Sequence, residues 1–276
     1  MSLVINTNVA SLQAQKNLAA SQQALASNFS KLSSGMRING AADDAAGLAI
    51  SENMQAQVCS YAVAERNTNN AVSMAQVAES GLGQVSGILS RMRELAVQGS
   101  NGDLGSTDRD YLNTEFTALR GEISRLADST KFNGKDLMSG AATDFDFQVG
   151  INNSSADKIT LAFGGVTLTN LGIDSSTVDG ADATNSLASI NSIDSAIATV
   201  STQRASYGAA MNRLSYTIAN TQSIRTNLSA ANSRIRDVDV AEETASMARN
   251  QVLQQAGVSV LAQANQSPQM ALKLIG

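Results

Sequence analysis

Both ends of this 276-residue chain carry apolar residues at seven-residue intervals, a spacing that restricts each end to a helix lying along other helices. Near the start, Ile5, Leu12, Ala19 and Ala26 form one row. Leu18, Leu25 and Leu32 form a second, with Phe29 and Met36 each four residues beyond a member of it. Near the end, Val240, Met247 and Leu261 share a row beside Ala241, Ala248 and Ala262. Two such helices pairing with each other would cover only part of these broad stripes. The remainder predicts burial against further copies of the same chain.

Composition fits slender helices better than a thick core. Aromatic residues are 4% of the chain, Trp is absent, and the one proline, Pro268, leaves the interior open to helices far longer than usual. A net charge of −5 with basic residues scattered singly argues against nucleic acid as a partner. No run of 18 apolar residues exists, so no membrane span is expected. The opening MSLVINTNVA lacks the charged and apolar regions of a Sec signal peptide, which predicts a cytoplasmic chain or one exported by another route.

The inventory of reactive groups argues against catalysis. Without any His there is no Ser-His-Asp triad, Cys-His pair or His-bearing zinc site, and Cys59 alone builds neither a thiolate metal site nor a disulfide framework. Cys59 reads as a small helix residue or an exposed thiol. Gly81-Leu82-Gly83 lies inside a helical pattern with no preceding strand, so it is no phosphate loop. Asp43-Asp44 and the pair Asp237 and Asp239 read as caps or solvated faces near helix joints. No catalytic residue, metal or cofactor is expected.

Periodicity divides the rest. Residues 45 to 98 follow one helical pattern in which Ala75, Ala78, Leu82, Val85, Leu89, Met92 and Ala96 alternate by three and four, giving a rod of roughly 80 Å. The loop Gly99–Ser106 follows, then a helix from Thr107 with Asp110 at the capping-box offset. Asn133-Gly134 turns the chain. Between 140 and 180, period-two runs at Phe145, Phe147 and Val149, at Ile159, Leu161 and Phe163, and at Val166 and Leu168 predict short strands joined by turns at 152–155 and 164–165. From 184 to 236 a helical seam returns, interrupted by Arg204, Thr221, Arg225 and Asn232, which read either as polar seam positions that fix register and partner choice or as solvent-facing positions at a bundle edge. Gly35, Gly40 and Gly47 mark a helix break near residue 40 as a candidate hinge. The expected fold is mainly α: an elongated antiparallel helix bundle or coiled coil with a small β-hairpin region at 140–180.

Several long segments resemble bacterial flagellin, in the family's order: LSSGMRINGAADDAAGLAIS (Leu32–Ser51), RMRELAVQ (Arg91–Gln98), KFNGKDLM (Lys131–Met138) and nearly all of Ser233–Gly276. The likeness covers about 1–140 and 185–276, with a short centre where many flagellins carry a large outer domain. It implies a structural subunit of the flagellar filament, secreted without a cleaved signal through type III export. Residues 1–44 with 235–276 would form the coiled-coil inner core, and 45–234 the surrounding shell. The assembly residues would be Ile5, Leu12, Leu18, Leu25, Phe29, Leu32, Val240, Met247 and Leu261. The resemblance also implies an export chaperone on the C-terminal helix at Val240–Leu274, and filament cap and junction proteins as neighbours. It further implies recognition by a vertebrate Toll-like receptor through Arg91, Glu94, Leu95 and Glu115; Ser90 stands where the family often has Gln. Two other readings remain: a hook–filament junction protein, and a secreted adhesin-like binding protein whose 140–180 region is the binding module.

Overall fold

The computed structural model describes residues 7–140 and 143–275, with side chains described as far as residue 266. Ile5 and the part of the expected chaperone surface beyond residue 266 therefore lie outside the described residues or side chains. The fold is mainly α. In chain order the helices are α1 (Val9–Ser34), α2 (Ala45–Gly99), α3 (Ser106–Ser129), the single turn α4 (Leu168–Leu171), α5 (Thr184–Arg236) and α6 (Val240–Ile275). The strands are β1 (Lys131–Phe132), β2 (Lys135–Asp136), β3 (Thr143–Gln148) and β4 (Lys158–Phe163). Among the described residues no helix is long and apolar enough to cross a membrane. The chain divides into two compact units, Cys59–Arg225 and Met1–Val58 with Thr226–Gly276.

The core of Cys59–Arg225 follows from the three-four alternation of α2. Ala75, Ala78, Leu82, Val85, Leu89, Met92 and Ala96 are all buried, in one cluster with Phe116 and Ile123 of α3 and Ile193, Val200 and Leu214 of α5. Ala75, Ala78 and Ala96 let the backbones approach closely at the two ends of this seam, so few aromatics are needed to fill the interior. On the outer surface the antiparallel α2 and α5 are laced by Arg93–Asp194 at 2.6 Å and Arg204–Glu79 at 2.7 Å. The Arg93 guanidinium holds the Asp194 carboxyl below its usual range. Exposed pairs like these are screened by solvent and add little to stability. They favour one register over another more than they stabilise the fold.

The small strands pack one face on this core. Asn133 at φ 47° and Gly134 at φ 74° make the two-residue turn between β1 and β2. β3 and β4 pair antiparallel from Thr143↔Phe163 to Gln148↔Lys158, so Phe145 and Phe147 share a face with Leu161 and Ile159. Phe163 stacks edge-on with Phe145 at 5.6 Å and lies 5.3 Å from the Tyr207 ring. The period-two reading fails at Val166 and Leu168. The Thr167 hydroxyl accepts a hydrogen bond from the Asn170 amide, and left-handed Gly172 closes α4, so the segment is one helical turn. Gly164-Gly165 is likewise no hairpin turn. Gly165 passes so close to the Gly140 carbonyl that a Cβ would overlap it.

Two further expectations are corrected. Helix α3 starts at Ser106, and its first-turn acid is Asp108 rather than Asp110; the Asp108 carboxylate accepts from the Gly105 amide at 3.1 Å. Gly105 has no side chain to return the bond, so only half of a capping box forms. Of the four polar seam residues, Arg204 faces solvent and Arg225 is half-buried against Glu65 at 2.7 Å, but Thr221 and Asn232 are buried. Asn232 sits there because its amide donates to Gln55 Oε1 at 3.0 Å on the facing helix.

Arg109 is almost fully buried, and its guanidinium donates to the carbonyls of Gly99, Asn101 and Ala181 at 2.9, 2.9 and 3.2 Å. It thereby closes the C-terminal end of α2 and ties it to the segment before α5. Arg109→Ala leaves these carbonyls short of donors and is expected to destabilise this unit by about 2 kcal/mol. Calorimetry should show a midpoint lowered by roughly 6 °C; an unchanged midpoint would mean water replaces the guanidinium at no cost.

In the second unit α1 ends at Gly35, left-handed at φ 71°, and α5 ends at Arg236. The two breaks are joined. Arg37 N–H donates to the Arg236 carbonyl at 2.6 Å, and Val238 N–H to the Gly35 carbonyl at 3.1 Å. The acids at the joints act locally. Asp43 accepts from the amides of Asn39 and Gly40, which hold its carboxyl below the usual range. Asp44 accepts from Gly47, and Asp239 from Ala241 and Glu242.

Candidate assembly surface

Helices α1 and α6 pack antiparallel, and their contact divides the sequence stripes in two. Seam positions on α1 are Ser11, Ala14, Leu18, Ser21, Leu25, Asn28 and Leu32, all buried or half-buried at three-four spacing. The partners on α6 include Met247, Asn250, Gly257, Leu261 and Ala264, also half-buried. A Cβ at Gly257 would stand 3.4 Å from Leu18 Cδ1, so the two helices are in van der Waals contact at this level.

Polar side chains fill several seam positions. Ser11 Oγ donates to Asn265 Oδ1 at 2.8 Å, Asn250 Nδ2 donates to Asn28 Oδ1 at 3.2 Å, and Asn8 Nδ2 reaches the Ala264 carbonyl at 2.8 Å. An apolar count along the sequence passes over these residues. Their signal was the same three-four spacing, with Ser11 and Asn28 in step with Leu18 and Leu25. A buried amide pair fixes the axial register of two helices, because a one-turn slip leaves both amides without partners.

The expected assembly residues therefore separate. Leu18, Leu25, Leu32, Met247 and Leu261 lie in or beside the intramolecular seam. Leu12 and Phe29 point outward at 56% and 52% exposure, as does Val240. Val9 on α1, and Val252, Leu253, Val258 and Val260 on α6, join them as exposed apolar side chains. The sequence rows missed these α6 valines because they fall off the seven-residue row through Met247 and Leu261. This much exposed aliphatic surface on a pair of helices is an interaction face.

In the other unit, Arg91 lies between two carboxylates. Its Nε donates to Glu115 Oε1 at 2.9 Å and its Nη1 to Glu94 Oε2 at 2.9 Å, with Glu115 and then Glu94 raising its pKa. All three side chains are exposed. Leu95, expected to belong to this patch, is instead 1% exposed. It falls beside Met92 and Ala96 on the seam of α2 and turns into the core, leaving no surface for a partner. Cys59 is exposed.

The family model for the bacterial flagellin N-terminal helical region matches residues 5–143, and that for the C-terminal helical region matches residues 190–275. A flagellin of Halalkalibacterium halodurans is 42% identical over 273 residues, spanning 99% of this chain and 100% of that protein. The flagellar filament 33 kDa core protein of Treponema phagedenis is 39% identical over 288 residues, spanning 99% and 100%. The crystal structure of Bacillus cereus flagellin aligns with a TM-score of 0.50 at 31% identity, covering 60% of this chain and 94% of that one.

Proposed function

The chain belongs to the bacterial flagellin family, structural subunits that polymerise into the extracellular flagellar filament for swimming, and from that premise we propose that its polymer contacts are made by the outward apolar faces of α1 and α6. The observation that carries this reading is the division of the stripes: one row closes the α1–α6 pair, and the other, through Leu12, Phe29, Val252 and Val258, has no intramolecular cover. Burying the second row on another copy, in a contact between unlike patches that does not close on itself, generates an open helix of subunits. In this arrangement residues 1–44 and 235–276 form the inner layer of the filament and 45–234 the shell around it.

The further partners are part of the same proposal. The chain leaves the cell by type III export. Before export, the valine-rich face of α6 is the surface an export chaperone covers. Cap and junction proteins meet the two ends of the polymer through the subunit's own interfaces. The exposed Arg91–Glu94–Glu115 cluster supports recognition by a vertebrate Toll-like receptor, with Leu95 acting only as packing beneath it. The role of the chain is structural, with no catalytic step.

Electron microscopy of purified monomer after adding ammonium sulfate or short filament seeds tests the terminal-helix reading. Salting out strengthens apolar burial and should drive the uncovered faces together. The full chain should give long tubes, and a chain lacking 1–40 and 240–276 none. Small closed rings from the full chain would move the assembly reading to a junction protein, and tubes from the truncated chain would place the essential contacts outside α1 and α6.

A further inference from the structure

Within Cys59–Arg225, two surface features of opposite charge lie far apart along α2. The first is a groove of about 570 Å³ where the β3–β4 connection meets α2 and α5. Tyr61, Lys158, Arg213 and Tyr216 line it, and Tyr216 is 79% exposed. Among the described residues neither Arg213 nor Lys158 has an acidic side chain within ion-pair distance. Asp157 also lines the groove, its carboxylate accepting from the Asn152 amide at 2.9 Å, while Glu65 pairs with Arg225 at 2.7 Å and accepts from Gln222 at 2.7 Å. The groove therefore presents two cations against one carboxylate, beside two tyrosines.

The second feature is the tip made by the α2–α3 loop, the first turns of α3 and the segment 174–182. Arg109 ties three of its carbonyls together, and Arg120 Nη1 donates to the carbonyls of Asp174 and Ser176 at 2.6 and 3.1 Å. These cations spend their donors on backbone and leave carboxylates outside. Asp103 and Asp110 are exposed and, among the described residues, without a basic partner; Tyr111 beside them is 71% exposed. From Tyr61 to Gly99 the helix advances roughly 55 Å, so groove and tip stand at opposite ends of this stretch of α2.

We propose that the groove at Arg213 and Lys158 receives the acidic tip carrying Asp103 and Asp110 from a second copy of this chain. The proposal rests on the polymerisation described above and adds a polar contact to its apolar one. Two unlike patches at opposite ends of one unit are what a head-to-tail, non-closing contact requires. The tip is held rigid by Arg109 and Arg120 before binding, so little ordering cost remains. Opposite charges set orientation and encounter rate, and the exposed tyrosines supply contact area with few torsions to freeze.

Charge reversal with a restoring combination tests this. Arg213→Glu with Lys158→Glu reverses the groove and takes the net charge from −5 to −9; Asp103→Lys with Asp110→Lys reverses the tip and takes it from −5 to −1. Seeded growth at low ionic strength should show each reversed chain raising the critical concentration by on the order of tenfold. A chain carrying all four changes returns to −5 and should grow close to the wild-type level. Bulk repulsion alone predicts otherwise, since the less charged tip-reversed chain would then grow best. Screening at about 0.5 M salt should shrink all the differences. Wild-type growth by either reversed chain, or no recovery in the fourfold chain, overturns the contact. Failure of the wild type itself to extend seeds would instead strike at the filament reading. Circular dichroism of each variant identifies any lost fold; these exposed positions should leave it intact.

Discussion

Leu25→Asp should abolish filament growth from seeds while leaving the unit Cys59–Arg225 folded. Leu25 sits half-buried in the α1–α6 seam, one heptad from Leu18 and one from Leu32. An aspartate there must stay charged against apolar neighbours, take up a proton, or push the helices apart, at a cost of about 3 kcal/mol. Growth requires the pair closed, so a variant subunit whose pair opens in solution meets this cost on joining; the full 3 kcal/mol corresponds to a critical concentration raised by roughly 150-fold. Leu261→Asp on the facing helix should behave alike. Gln23→Asp, on an exposed position of α1, should grow nearly as the wild type. The measurement is the monomer concentration left in solution after growth stops, with circular dichroism confirming the helices. Wild-type growth by both leucine variants would show that the α1–α6 pair is dispensable for the polymer.

Phe116→Ala should produce the largest loss of stability in the other unit. Phe116 is fully buried among the α2 seam residues and is one of few large rings in a core made mostly of alanine, leucine and valine. Its removal combines lost transfer energy with a cavity that rigid helices on both sides close poorly, about 4 kcal/mol together. For a unit of this size the unfolding midpoint should fall by roughly 12 °C. Differential scanning calorimetry reads this directly, and a fall under about 3 °C would show that the helices collapse into the space. Seeded growth of the same variant well below its midpoint should change little, since Phe116 has no exposed surface. The two substitutions thus separate stability of the subunit from stability of the polymer.

The long helices were legible because their evidence is long. Strict three-four spacing over Ala75–Ala96 and the turn-rich ends of each segment placed α2 and α5 to within about a residue of their observed bounds. The Asn133-Gly134 hairpin was equally plain, because few sequences favour positive φ twice in succession. What escaped was decided by partners rather than by pattern. Val166-Thr167-Leu168 alternates like a strand, but the Thr167 cap and left-handed Gly172 make the following Leu168–Leu171 a helical turn. Asn232 suited seam and surface alike until Gln55 stood opposite it. Periodicity also shows that a stripe is broad without showing which row of it faces a neighbour. The division between Leu18, Leu25 and Leu32 on one side and Leu12 and Phe29 on the other depends on the angle at which α6 approaches.

The polar composition of the α1–α6 seam has a calorimetric consequence. Heat capacity of unfolding tracks the apolar area that leaves water, and polar groups contribute with opposite sign. A two-helix contact that interleaves Ser11, Ala14, Asn28, Asn250 and Gly257 with half-buried Leu18, Leu25, Leu32, Met247 and Leu261, and leaves Leu12, Phe29 and Val252 wet, therefore adds less to the heat-capacity increment of an isolated subunit than an all-apolar seam would. The same helices, once their outer faces are covered in a polymer, release that whole surface on melting. The missing increment of the subunit reappears in the filament, so the difference between the two thermograms measures the apolar area that polymerisation hides.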